Sequence, residues 1–198
     1  MVSPETTAEV TDATYRALCK HGYADVTMES IAAETGKSKS ALHYHYDSKH
    51  DLLLAFLDEL LESFSERLEG VEGETPRESL LALVTEVLKP ADDGEPPRDF
   101  EVAVLEMKAQ GPYDEQIRAS LEEFDRTLKE HVAGHLAAGV ESGAFREDLD
   151  VSASADFLVS VISGAHTRSV AVGRPVVETR ETLARHIDSM ITVDGGSS

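Results

Sequence analysis

The spacing of apolar residues constrains this chain most, because it excludes folds built from strands. Apolar side chains recur at intervals of three and four residues along most of the sequence, and no stretch alternates for long enough to form a strand. The first apolar stripe contains Val10, Ala13, Ala17 and Leu18 and stops at Gly22. The sequence therefore predicts an all-α fold.

Capping residues, glycines and prolines set the predicted helix boundaries. Ser38 is expected to begin a short third helix, and Asp47 or Ser48 a long fourth helix that fades at Gly70. The remaining predicted helices cover residues 6–21, 28–35, 76–89, 98–110, 113–141, 151–172 and 177–192. Residues 89–97 are too rich in proline, glycine and aspartate for a helix and predict a solvated loop.

Charge is distributed unevenly along the chain. Its 198 residues include 18 Lys and Arg against 38 Asp and Glu, a formal net charge of −20. Residues 1–50 carry 5 basic and 7 acidic side chains, whereas residues 51–198 carry 13 basic and 31 acidic ones. This is not the composition of a general nucleic-acid-binding protein, and an acidic, lysine-poor surface suits a protein that stays hydrated in concentrated salt. We expect a halophilic cytosol, the alternative being an acidic protein of an ordinary cytosol.

Several classes of protein are excluded by what the sequence lacks. Its single cysteine, Cys19, forbids an intrachain disulfide, and a place beside an apolar stripe favours a small buried side chain over a redox sensor. No apolar run reaches the roughly 18 residues of a membrane-spanning helix, and the first five residues lack the basic and apolar regions of a signal peptide. We therefore expect a cytoplasmic protein without a membrane partner.

Catalytic and cofactor motifs are also missing. The sequence contains no P-loop, glycine-rich dinucleotide loop, EF-hand or nucleophile elbow, and no acid–base pair stands out among its carboxylates. His131 and His135 have the four-residue spacing that a metal site can use, but without a third ligand they are expected to form a mixed surface or pocket wall. We predict no catalytic residues, no cofactor and no metal.

Residues 28–45 predict a helix-turn-helix, the motif that places a helix in the major groove of DNA. Two short helices meet at a tight turn around Gly36, and the second begins with Ser38, Lys39 and Ser40. A groove roughly 12 Å wide admits such a helix, whose first turn then lies at base edges and phosphates. Between residues 36 and 49 three lysines stand against one aspartate, so a local charge of about +2 lies on a negative protein.

Apolar, glycine and aromatic residues around this motif stand in a defined order. The order is Thr27-x-x-x-Ile31-Ala32-x-x-x-Gly36-x-Ser38-x-x-x-Leu42-x-Tyr44-His45-Tyr46-x-Ser48-Lys49-x-x-Leu52-Leu53. The chain resembles the TetR family of transcriptional regulators in this string, specifically over about residues 8–55. The resemblance implies a DNA-binding domain at 1–47 and a helical effector-binding and dimerisation domain at 48–193. The glycines and serines of residues 194–198 predict a disordered tail.

The DNA contacts implied by that resemblance are assigned position by position. The implied phosphate contacts are Thr27, Ser38, His45 and Lys49. The implied base contacts are Lys39, Ser40 and His43. Tyr44 is a position that touches backbone or bases, although an aromatic at this spacing equally suits a core, and both histidines also suit a plain solvated surface. Lys37, within the same interface, departs from the family's usual residue, as do Ser40 and His43, so the operator sequence does not transfer.

Two further sets of functional residues, for the effector and for the dimer, are predicted in the body, residues 48–193. Candidate effector-pocket residues lie on inward-looking stripes, where packing in the core is the alternative use: Phe100, Met107, Tyr113, Phe124, Phe157 and His166. Candidate dimer-interface residues form apolar stripes that the last two helices alone cannot cover: Phe157, Leu158, Val161, Ile162, Leu183, Ile187 and Met190.

The function predicted from these residues and the resemblance is that of a homodimeric repressor. A small-molecule effector, whose identity the sequence does not give, would release it from a near-palindromic double-stranded DNA operator. An effector-independent DNA-binding or partner-binding helical protein is the alternative, whereas no residue pattern supports an enzyme.

Overall fold

The computed structural model describes residues 4–89 and 98–191, which form helices joined by turns. The helices are α1 Pro4–Asp25, α2 Met28–Thr35, α3 Lys39–His43, α4 Lys49–Glu69, α5 Pro76–Val87, α6 Arg98–Lys108, α7 Glu115–Glu141, α8 Val151–Val172 and α9 Val176–Ile191. The all-α prediction is confirmed. The predicted loop, beyond Lys89, and the predicted tail lie outside the described residues. Within the described ranges, no helix combines the length and apolar character needed to cross a membrane.

Local capping sets the bounds of the second and third helices. The Thr27 hydroxyl accepts a hydrogen bond from the Ser30 amide (3.1 Å), and the Ser30 hydroxyl accepts one from the Thr27 amide (2.9 Å). Gly36, with φ 68°, ends α2 in the left-handed region that glycine adopts without strain. The Ser38 hydroxyl accepts from the Ala41 amide (3.2 Å) and begins α3. The predicted starts and stop of this motif are confirmed.

Several helix boundaries differ by two to four residues from the sequence-based prediction, and two of these differences have a visible local cause. α1 extends to Asp25 because the chain resumes helical hydrogen bonding after a break at Gly22, whose φ of 70° and ψ of 173° are not helical. The Val26 amide then donates to the Gly22 carbonyl (3.2 Å). α7 begins at Glu115 because the Asp114 carboxylate accepts from the amides of the two residues that follow Glu115, at 3.0 Å each.

The chain divides into two compact units. The first comprises Met1–Ser63 and Ala91–Glu123, and the second Phe64–Pro90 and Phe124–Ser198. In the first unit α1 packs against α2 and α6, and α2 packs against α3. The division into domains at residue 47 concerns function and stays a prediction.

The second unit has its own hydrophobic core. Leu80 and Leu83 of α5, Leu136 of α7 and Ile162 of α8 are buried in it, together with Phe145 from the α7–α8 connection. α9 packs against α5 and α8. An ion pair joins α5 to α9, since the Arg77 Nε lies 2.7 Å from the Asp188 carboxylate, and this hydrogen bond raises the pKa of Arg77.

Substitutions at two glycines of α7 are expected to change the stability of this unit in opposite directions. A Cβ added at Gly139 would lie 2.0 Å from the Phe145 ring, whereas one at Gly134 would meet open space. We expect Gly139→Ala to lower the free energy of unfolding by about 1–3 kcal/mol through overpacking. Gly134→Ala is expected to raise it by about 0.5–1 kcal/mol, because alanine loses less backbone entropy in a helix. Urea unfolding at one fixed KCl concentration measures both, and equal effects would contradict the packing at Phe145.

Candidate nucleic-acid interface

Buried apolar side chains position the helix-turn-helix within the first unit. Ile31 and Ala32 of α2 and Leu42 of α3 are 0%, 4% and 1% exposed. α2 packs directly against α1, whose Ala17 and Leu18 are fully buried. With Leu42 buried, the other side chains of the short helix α3 lie toward solvent or at its edge.

The predicted base-contacting residues are all exposed on α3. Lys39, Ser40 and His43 are exposed, as are Tyr44 and His45 just after the helix. Tyr44 is 85% exposed, and its ring meets the His45 ring edge-on at a centroid distance of 5.0 Å. The alternative of a core position for Tyr44 is therefore wrong, because Leu42 already supplies the buried side chain of this turn.

Tyr46, two residues on, has the opposite environment. Its ring is half-buried, and burial raises the pKa of its phenol. The negative charge of Glu59 on α4 raises that pKa further. Tyr44 therefore lies in solvent, whereas Tyr46 packs within the unit.

The lysines of the motif are less available than their count indicates. The Lys37 ammonium forms an ion pair with Glu9 of α1. Lys49 donates to the Tyr23 carbonyl oxygen (3.3 Å) and lies 5.3 Å from the centroid of the Tyr23 ring. Lys39 makes no ion pair with any side chain that the structure describes. The expected charge of about +2 counts only residues 36–49. In the folded protein Glu9, which lies 28 residues before Lys37 in the sequence, neutralises part of this charge.

A second carboxylate holds the other two cations of the first 50 residues. The Glu34 side chain of α2 lies 2.6 Å from the Lys20 ammonium and 3.4 Å from the Arg16 guanidinium, both on α1. The hydrogen bond from Lys20 lowers the pKa of Glu34. The sequence does not reveal these contacts, because Lys20 and Arg16 precede Glu34 by 14 and 18 residues, beyond any helical spacing.

Two family models of known proteins match this chain, one in its N-terminal part and one in its C-terminal part. Residues 10–56 match the family model described as bacterial regulatory proteins, tetR family. Residues 76–192 match the model described as BetI-type transcriptional repressor, C-terminal. The chain belongs to the TetR family. It is a DNA-binding transcriptional repressor and not an enzyme.

Similar proteins come from archaea and bacteria. A TetR transcription regulator from Haloarcula marismortui is 38% identical, with a TM-score of 0.89, over 96% of this chain and 100% of that one. A putative regulator from Saccharomonospora viridis, solved in complex with choline, is 26% identical, with a TM-score of 0.83, over 96% and 100%. The transcriptional repressor AcnR from Corynebacterium glutamicum is 27% identical over 88% of this chain and 87% of that protein.

The candidate effector-pocket residues of this TetR-family protein have different environments. Met107 is buried in the first unit, and Tyr113 of the same unit is 88% exposed. An inward orientation was expected for Tyr113 and is not found, because the residue lies in the turn between α6 and α7. In the second unit the Phe124 ring lies 5.7 Å from the Phe64 ring, and the His166 Nε2 lies 3.0 Å from the Val87 carbonyl oxygen. The Phe100 side chain lies outside what the structure describes.

The candidate dimer residues divide into a buried and an exposed group. The buried group is at most 4% exposed and belongs to the core of its own unit: Leu158, Ile162, Leu183 and Ile187. Phe157, 44% exposed, and the half-buried Val161 line a groove of about 450 Å³ between α8 and α9. The expected uncovered stripe is therefore narrower than the sequence indicates, because one side of each helix packs on the unit itself. The Met190 side chain lies outside the described residues.

His131 and His135 both lie half-buried on α7. Burial lowers the pKa of His135, and the charge of His131 lowers it further. In the described parts of the chain, no three His, Cys, Asp or Glu side chains are grouped so as to hold a metal ion. Burial therefore favours the neutral form of His135 on this helix.

The Glu9–Lys37 ion pair predicts how a single acidic residue limits DNA binding. Glu9→Gln removes the partner of Lys37, so the ammonium becomes free to neutralise a phosphate. We expect tighter binding to random-sequence DNA and a salt dependence that steepens by about 0.9 logarithmic units for each phosphate gained. Asp12→Asn is the matched control, since it removes the same charge from α1 without a described lysine partner. Identical salt slopes for the two variants, measured by fluorescence anisotropy, would show that Lys37 does not reach DNA.

Proposed function

We propose that this protein is a homodimeric repressor of a near-palindromic operator. Each copy binds DNA through its head, residues 1–47, and releases it when a small molecule binds the body, residues 48–193. The observation that carries the proposal is α3, which has Leu42 buried and Lys39, Ser40 and His43 exposed together. A helix anchored on one side and polar on the other is the element that enters a major groove.

Each exposed residue has a distinct proposed role. Lys39, Ser40 and His43 read base edges, and Tyr44 adds a contact to backbone or base. The remaining proposed contacts position the head on phosphates: Thr27, Lys37, Ser38, His45 and Lys49. Ser38 suits this role because its hydroxyl accepts from the Ala41 amide and keeps its own hydrogen for a phosphate oxygen. Lys49 would have to exchange the Tyr23 carbonyl for a phosphate.

Binding-site selection with single alanine variants tests these roles. We expect Lys39→Ala and His43→Ala to change which operator is preferred, at a cost of about 1–3 kcal/mol on the original site. Lys49→Ala should weaken binding to all sequences about equally, because phosphate contacts carry no sequence information. Lys89→Ala, which removes an exposed lysine outside the motif, serves as the control. The reverse pattern would show that the base and phosphate roles are wrongly assigned, and failure of the wild-type protein to select any sequence would refute the operator proposal.

The proposed dimer uses the exposed face of α8 and α9. Phe157 and Val161 supply apolar surface, and the Phe157 ring lies 6.0 Å from the His186 ring of α9. Charge favours the same face. Residues 151–191, which span α8 and α9, carry four arginines and four carboxylates, whereas residues 51–150 carry 9 basic and 26 acidic side chains. Two copies therefore meet with little repulsion through this face and with strong repulsion through the rest of the body.

A charge placed in this groove tests the dimer. Phe157→Glu is expected to give monomers at micromolar concentration, because it removes the apolar contact and would bury an unpaired carboxylate in the interface. Tyr113→Glu makes the same kind of change at an exposed aromatic of the first unit and should leave a dimer. Sedimentation velocity in about 2 M KCl, where charges beyond roughly 3 Å are screened, gives the answer. A wild-type monomer, or a dimer in both variants, would contradict this interface.

The effector is proposed to be a small molecule bound among the candidate pocket residues of the body. In the second unit Phe124 and His166 support this best because both are half-buried, and in the first unit Met107 is buried. Phe100, Tyr113 and Phe157 remain weaker candidates. Choline, the ligand of the Saccharomonospora viridis protein, is the first compound to test for release of the operator.

We also propose that the protein works in a salt-rich cytoplasm. Its net charge of −20 and its similarity to the Haloarcula marismortui regulator support this setting. Added salt weakens the attraction of few cations to DNA but also screens the repulsion between the acidic body and the duplex. Operator affinity from about 0.1 to 2 M KCl should therefore fall little, or rise, as the Debye length drops from about 10 Å to below 3 Å. A steep fall by a protein that is fully folded at the low end would refute the halophilic setting alone.

A further inference from the structure

Helix α6 belongs to one part of the chain by sequence and to another by packing. It lies within residues 76–192, which match the BetI-type C-terminal region. Nevertheless it packs in the first compact unit, directly against α1 of the DNA-binding head. Helix α6 is therefore a part of the BetI-type region that contacts α1 directly within the first unit.

The contact between the two helices centres on a break in α1. Gly22 has φ 70° and ψ 173°, which interrupt the helical hydrogen-bond ladder and leave the next amide, that of Tyr23, without its helical acceptor. The Glu106 carboxylate of α6 takes that place, with its Oε2 2.7 Å from the Tyr23 nitrogen. A Cβ on Gly22 would lie 3.0 Å from the same oxygen and would push it away by a few tenths of an ångström, and the positive φ itself favours glycine here.

Tyr23 is held on its other side by α4. Its carbonyl oxygen accepts from Lys49 at 3.3 Å, and Lys49 also lies over its ring. In the free protein one residue thus has its N–H bound from α6 and its C=O bound from α4. When Lys49 exchanges this carbonyl for a phosphate, the hydrogen bond from the Tyr23 amide to Glu106 still holds the residue. Only three residues separate Tyr23 from Thr27, the cap of α2, so the direction of this short segment is fixed at both ends.

We propose that Glu106 is a positioning residue for operator binding: by holding the Tyr23 amide it orients α2 and α3 relative to α6. A carboxylate that accepts from a backbone N–H makes a short, charge-assisted and directional hydrogen bond, unlike apolar packing that tolerates sliding. The inference rests on the proposed two-headed repressor, because orientation matters most when two heads must fit one operator.

Three variants of α6 test the role of this carboxylate. Glu106→Ala removes the acceptor, Glu106→Gln keeps a weaker neutral one, and Glu101→Ala removes a half-buried carboxylate elsewhere on the same helix. Each is measured on the selected operator, on operators whose half-sites are one or two base pairs closer or farther apart, on a single half-site, and on random-sequence DNA. Amide hydrogen exchange of Tyr23 is followed in parallel.

We expect Glu106→Ala to lose about tenfold in operator affinity, as for a lost hydrogen bond to a charged group. It should also discriminate less between half-site spacings, exchange the Tyr23 amide faster and keep its affinity for random-sequence DNA. Glu106→Gln should lie between it and the wild type, and Glu101→Ala should match the wild type. A merely structural role predicts a parallel loss on operator and random-sequence DNA as the folded fraction falls, and that result would overturn the proposal.

Wild-type affinity and spacing preference in Glu106→Ala would overturn it as well. If Glu106→Ala does not fold, Glu106→Gln decides, and a wild-type spacing preference together with faster Tyr23 exchange counts against the proposal. If the wild-type protein itself ignores spacing, the proposed dimer fails instead. The single half-site affinity and the Tyr23 exchange then decide the role of Glu106 alone.

Discussion

Pairing between carboxylates and cations inside the head is the constraint that sets how much positive charge this protein has free for DNA. The first 50 residues carry five basic side chains, and four of them already contact Glu9, Glu34 or Tyr23. These contacts tie α2, the turn after it and the start of α4 to α1. The head is therefore stabilised by the same charges that a DNA-binding surface ordinarily presents to phosphates, and neutral donors at the surface gain importance.

The helices follow from local chemistry, which is why they could be predicted. Thr27, Gly36 and Ser38 act on neighbours within three or four residues, and such patterns are visible in any stretch of sequence. The contacts of Lys37 with Glu9 and of Tyr23 with Glu106 join residues 28 and 83 positions apart. No periodicity encodes pairs at such separations. The exposure of the residues assigned to DNA could therefore be predicted, whereas the ion pairing of each lysine could not.

The burial of individual residues in an apolar stripe is also hard to predict from the sequence. Leu158 and Phe157 are neighbours on α8, and both are apolar, yet the first is 2% and the second 44% exposed. A sequence predicts that a helix has an apolar side but not how wide a part the chain covers by itself. The sequence predicts an inward orientation for Tyr113 for the same reason, although this residue lies in solvent in the turn before α7. Side chains at the margin of a stripe are where core, interface and pocket cannot be separated without coordinates.

The exposure of Tyr44 has a consequence for contacts made in concentrated salt. In the free head 85% of this side chain lies in water, held there because Leu42 fills the buried position of the turn. Covering an aromatic ring removes apolar surface from water, a gain that ionic screening does not reduce and that excluded salts increase. A contact through this ring therefore strengthens under the conditions in which a lysine–phosphate contact weakens.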